Sequence, residues 1–204
     1  MKTLILAAIR CSLMFLITAS LFSVRPAQAY TVTLEQVGSN VVATGSGAIN
    51  LTGLNFSAPS GQLGALINPI FGVIVTGTTA FANVDIYTGF SGPTSFGSGG
   101  LNLANIGSGD RVGIVGPFAG GFFFLPAGYV SGNALSDSST YNGATFASLG
   151  VTPGTYVWTW GTGLENQNFT LVIESAGVPD GGSTVSLLSF ALLGLATLRR
   201  KLRC

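Results

Sequence analysis

The sequence predicts an all-β domain, an antiparallel β-sandwich or jelly-roll-like fold, flanked by an N-terminal signal-peptide helix and a C-terminal transmembrane helix. Three observations carry this expectation. In the middle of the chain apolar residues recur with a period of two rather than 3.6. Turn signals of Gly, Ser, Asn and Pro separate the short apolar runs, as in Gly38-Ser39-Asn40, Gly92-Pro93-Thr94 and Pro153-Gly154. Two longer apolar stretches, Cys11–Val24 and Val185–Leu198, lie at opposite ends of the chain beside basic residues. The 204 residues therefore divide into a leader (1–29), a β-rich extracytoplasmic domain (30–177) and a C-terminal segment (178–204).

In the leader, Lys2 and Arg10 precede the apolar stretch, and Ala27-Gln28-Ala29 ends it with a small-x-small pattern behind the helix-breaking Pro26. The apolar stretch is 14 residues long, whereas a membrane span needs about 20. A secretory leader cut by signal peptidase after Ala29, with Ala27 and Ala29 as the recognition residues, is the reading that fits.

The strands follow in order. Short runs occur at Thr31–Val37, Asn40–Thr44, Ala48–Thr52, Phe71–Thr76, Asn83–Tyr87, Arg111–Val115 and Gly121–Leu125. Two later runs alternate most clearly. In Thr155–Trp160 the residues Tyr156, Trp158 and Trp160 share one face, and in Asn168–Glu174 the residues Phe169, Leu171 and Ile173 do so. The polar link Gly161–Gln167 makes these two a hairpin. Ser91–Gly109 reads as a long glycine-rich connection, a loop or an irregular strand edge, and no segment between Tyr30 and Gly177 shows an uninterrupted helical period. Both cysteines, Cys11 and Cys204, fall in the terminal segments, so the domain is held by its apolar core and not by disulfides.

The C-terminal segment has three parts: Val178-Pro179-Asp180-Gly181-Gly182, the apolar run Val185–Leu198, and the basic cluster Arg199, Arg200, Lys201 and Arg203. Fourteen helical residues cover about 21 Å, short of the ~30 Å hydrocarbon core. The basic end fits a cytoplasmic terminus. This order resembles the PEP-CTERM class of bacterial sorting signals, in its VPDGG variant. The resemblance implies recognition at Val178, Pro179, Asp180, Gly181 and Gly182 by an exosortase-like membrane enzyme, transient membrane retention by Val185–Leu198, and a topology signal at Arg199, Arg200, Lys201 and Arg203. The catalytic residues belong to the sorting enzyme, so none is expected on this chain. Within the domain, the run from Tyr129, and above all TFASLGVTPGTYVWTWG ending at Gly161, resembles a segment common in secreted proteins of the same sorting class. That resemblance implies a shared β-domain and no activity.

Composition narrows the chemistry. Charged residues are 7% of the chain and histidine is absent. Between Tyr30 and Asp180 one cation, Arg111, faces seven carboxylates, a net charge of −6. Such a stretch cannot neutralise a phosphate backbone, which excludes nucleic acid as a partner. A Ser-His-Asp site lacks its histidine, and the domain has no lysine for a phosphate loop. Glycoside hydrolysis needs two opposed carboxylates, and only Asp85, beside Tyr87, stands out among scattered acids. Asp110, Asp137 and Glu165-Asn166 offer hard oxygen ligands for calcium, but nothing gathers them into a binding loop, so solvated acids are the expectation. No enzyme activity, cofactor or metal is expected. The stripe of Tyr156, Trp158 and Trp160 is a sugar-stacking platform if exposed and core if buried; burial is the usual fate. The sequence thus predicts an exported, non-enzymatic protein of the cell surface or extracellular matrix. The alternatives are a carbohydrate-binding module touching extracellular polysaccharide, and a permanently membrane-anchored surface protein.

Overall fold

The computed structural model describes residues 28–117 and 121–175, with 59–63 described by their backbone alone. In chain order the strands are β1 (Thr31–Val37), β2 (Asn40–Ala48), β3 (Asn55–Leu63), β4 (Leu66–Asn68) and β5 (Val73–Thr76). Next come β6 (Ala82–Thr88), β7 (Phe90–Ser91), β8 (Asn102–Leu103), β9 (Ile106–Gly109) and β10 (Val112–Val115). The last four are β11 (Phe122–Pro126), β12 (Ala134–Tyr141), β13 (Gly154–Trp160) and β14 (Asn168–Ile173). They form two seven-stranded sheets, ordered β7-β13-β14-β1-β2-β12-β9 and β3-β6-β11-β10-β5-β4-β8. All pairings between named strands are antiparallel except β1 with β14, which run parallel from Thr31↔Thr170 to Leu34↔Ile173. The expected sandwich is therefore present.

Alternation explains how the first sheet buries one face, whereas β5, β10 and β11 of the second sheet are buried on both. In the first sheet Val32, Leu34, Val41, Ala43, Phe169, Leu171 and Ile173 are at most 2% exposed. They meet Ile67, Ile74, Val112, Ile114, Phe123 and Leu125 of the second sheet in one core. Aromatic rings fill its centre: Phe169 packs edge-on against Trp158 at 5.7 Å and against Phe123 at 5.8 Å. Edge-to-face contacts of this kind add about 0.5–1.5 kcal/mol each beyond the area they bury.

The two outer faces differ in chemistry, because paired residues on adjacent strands share a face. On the first sheet one cross-strand row reads Thr33, Thr44, Ser138, Ser108, and the next reads Thr170, Thr31, Ser46, Ser136. On the second sheet a row reads Leu103, Leu66, Val75, Gly113, Phe124, Ile86. There Val75, Val84 and Phe124 form a second, smaller apolar cluster.

Several expectations are corrected. The run expected at Ala48–Thr52 is not a strand; β2 instead continues through Gly45 and Gly47 to Ala48. Gly45 sits where a side chain would strike Tyr30 and Asp137, so a glycine within the strand is a packing requirement. The run expected from Phe71 begins two residues later, because Pro69–Phe71 is a 3-10 turn closed by Gly72. Ser91–Gly109, expected as a loop or an irregular strand edge, contributes the short edge strands β8 and β9 and the end of β7, so the second of the two readings is the one present. A one-turn helix, α1 (Phe146–Leu149), interrupts the strands; Thr145 and Ser148 cap it reciprocally. The helices expected at the leader and at Val185–Leu198 lie outside the described residues, apart from Gln28 and Ala29. Among the described residues no helix is long and apolar enough to cross a membrane.

Candidate functional site

The aromatic stripe on β13 faces inward. Trp158 is 0% and Trp160 5% exposed, and their indole N–H groups donate to the carbonyls of Pro93 (2.9 Å) and Asn50 (2.8 Å). Tyr156, half-buried, donates its hydroxyl to the Thr152 carbonyl at 3.0 Å and packs on Phe96. The two indole faces are core, since burying them and satisfying each N–H internally stabilises the sandwich more than exposing them would. They form no platform for a sugar ring.

The acids separate by environment. Asp85 accepts from the Gly128 N–H at 2.8 Å, and Asp110 accepts from the Ser136 N–H at 2.9 Å. Asn166 and Glu165 lie in the β13–β14 link, where their carbonyls accept from the Asn50 backbone and side chain. Asp137, read from sequence as a loop acid, is instead inside the sandwich at 5% exposure. It points inward from β12 opposite Gly45, and the Tyr30 hydroxyl donates to its Oδ2. Tyr30 in turn lies 3.3 Å from Thr76 Oγ1 on the opposite sheet. Asp137 Oδ1 has no hydrogen-bond partner. Burial pushes the Asp137 carboxyl up to about 6; the Tyr30 and Thr76 hydroxyls oppose that rise and nearby Asp110 adds to it. Burial also holds the Tyr30 hydroxyl well above its ordinary range. Arg111 is buried; one guanidinium nitrogen donates to the carbonyls of Thr78 and Ala80 (2.6 Å to Ala80). Among the described residues no group of three or more His, Cys, Asp or Glu side chains could hold a metal ion.

An open groove lies on the other side of β13. It holds about 480 Å³ and is lined by Ser91, Val157, Thr159, Trp160, Gly161, Gly163, Leu164, Gln167 and Asn168. Three of these line up across adjacent strands, Ser91 opposite Thr159 and Thr159 opposite Asn168. Val157 (40% exposed) lies two residues along the same face, and Leu164 (55% exposed) rises from the hairpin loop.

One side chain builds that loop. The Gln167 Oε1 accepts the backbone N–H groups of Thr162, Gly163 and Leu164 at 3.0, 2.9 and 2.8 Å. Its Nε2 donates to the Thr52 carbonyl at 2.6 Å. Gly161 adopts a left-handed φ of 65° and has no room for a Cβ beside the Gln167 carboxamide, so only glycine fits there. The groove wall is thus preorganised, held by a buried amide rather than by loop chance. Sequence reading took Gly161–Gln167 for an ordinary polar turn and missed this site. The available signal was Gly-x-Gly followed by a glutamine ahead of the strand.

The residues expected to direct sorting, Val178, Pro179, Asp180, Gly181, Gly182, Arg199, Arg200, Lys201 and Arg203, lie outside the described residues. So does Ala27, whereas Ala29 forms a β-bridge with Ala48. For the domain itself, neither the curated proteins nor the solved structures include a match. A family model, the VPDSG-CTERM motif, matches residues 177–202, with Gly181 standing where the name of the motif has serine. Residues 177–202 are therefore a PEP-CTERM-like exosortase sorting signal, one that implies export, association with the cell envelope and processing by an exosortase-like membrane enzyme.

Proposed function

We propose that the chain is a non-catalytic structural component of the cell surface or extracellular matrix. In this reading signal peptidase releases the leader after Ala29, the tail holds the domain transiently at the membrane, and a cut near Val178–Gly182 passes it outward. The observation that carries the reading is the sorting motif at residues 177–202. The domain's composition supports it: few charges, many Gly, Ser and Thr residues, and no histidine suit a surface component that performs no acid–base chemistry. Fractionation of the producing cells with mass spectrometry of both chain ends tests it. The expected product begins at Tyr30, lacks Arg199–Arg203, and is found at the surface or in the matrix. Full-length chain in the cytosol with residues 1–29 intact contradicts the reading. Persistence of Arg199–Arg203 on the surface-located product turns it into a permanently anchored protein.

A further inference from the structure

We propose that the groove between β13, β7 and the Gly161–Gln167 loop binds a neutral saccharide unit of a polysaccharide. The volume, about 480 Å³, falls within the range of about 300–1,000 Å³ typical of small-ligand sites. Its polar groups are the hydroxyls of Ser91 and Thr159 and the carboxamide of Asn168, side by side on one face. Hydroxyls both donate and accept, as does a carboxamide, which matches the hydroxyl groups of a sugar. Asn168 spends one N–H on Thr170 Oγ1 at 3.0 Å. Val157 and Leu164, exposed on either side of this row, offer apolar contact to the C–H faces of a ring. Among the described residues no charged side chain lines the groove, so none of them recognises a uronate, a sulfate or a phosphate. Gln167 fixes the loop before any ligand arrives, which lowers the ordering cost of binding. The aromatic stripe of β13 supports this groove from behind rather than forming the binding face.

This inference is independent of the route of export, because binding is measured on the isolated protein. The test is depletion of the full-length chain, in a detergent without a sugar headgroup, by insoluble neutral polymers: cellulose, β-1,3-glucan and α-glucan. Carboxymethyl-cellulose serves as the anionic counterpart. At least one neutral polymer is expected to deplete the wild type. Val157→Arg and Thr159→Arg, which fill the groove, are expected to weaken that binding at least about tenfold, equivalent to about 1.4 kcal/mol. Leu164→Asp, at an exposed loop position, is expected to do the same without touching a strand. Thr33→Arg, on the same outer face but away from the groove, is expected to bind like the wild type. Native fluorescence of Trp158 and Trp160 verifies the fold of each variant. The proposal is overturned if no neutral polymer depletes the wild type, or if carboxymethyl-cellulose alone does. It is equally overturned if Leu164→Asp and the folded arginine variants bind as the wild type does, or if Thr33→Arg loses as much as they do.

Discussion

Asp137 decides how this domain responds to pH. Its carboxyl is raised by burial from an ordinary 3.8 to about 6, so the folded state binds its proton more tightly than the unfolded state does. Stability from this group is therefore fully present below about pH 4 and is lost as pH rises through about 6. The difference corresponds to about 3 kcal/mol between those limits. Urea denaturation followed by tryptophan fluorescence should show this decline between pH 4 and 7. Asp137→Asn, which keeps an acceptor for the Tyr30 hydroxyl and cannot ionise, should flatten it; an equally steep profile in the variant would place the effect elsewhere. Tyr30→Phe should cost about 1–3 kcal/mol at neutral pH, since it removes the hydroxyl hydrogen-bonded to the buried carboxylate. None of this was legible in sequence. Ser-Asp-Ser-Ser resembles a solvated loop, and the partner that draws Asp137 inward is 107 residues away.

At the scale of elements, legibility followed the regularity of the inward positions. The β13–β14 hairpin was readable because Trp158, Trp160, Phe169, Leu171 and Ile173 alternate without interruption. β12 was not, because its inward positions are Leu135, Asp137, Ser139 and Tyr141, and the two polar ones erase the period. β3 was hidden by Pro59, Gly61 and two register shifts against β6. The groove was illegible for a related reason: Ser91 and Asn168 meet only through their shared neighbour Thr159. The hairpin loop carries its own prediction. Gln167→Ala leaves three backbone N–H groups and the Thr52 carbonyl without their partner. Thermal unfolding should report a loss of about 1–3 kcal/mol, since four part-buried hydrogen bonds of the loop are lost together. Gln167→Glu retains the acceptor and should lose less; equal losses would mean that the carbonyl contact to Thr52 dominates.

The whole molecule combines a sandwich with a hydroxyl-rich outer face and a sorting signal that follows the last strand. β14 ends at Ile173 and the matched motif begins at 177, so only three residues separate that strand from the motif. The motif's residues have a physical logic of their own. Pro179 disfavours helix in Val178, and Gly181 and Gly182 disfavour it ahead of the apolar run, so we propose that the motif is read in an extended form. Removal of Arg199–Arg203 should weaken membrane retention and release unprocessed chain, detectable in the culture medium by mass spectrometry. The most direct measurement is a pulse-chase of the chain carrying a C-terminal epitope, comparing the wild type with a variant in which Pro179, Gly181 and Gly182 are all alanine. The wild type should lose the epitope as the domain leaves the membrane, while the alanine variant accumulates in the membrane with the epitope attached. Loss of the epitope at the same rate in both would contradict the account of the tail as a sorting signal read through its extended motif.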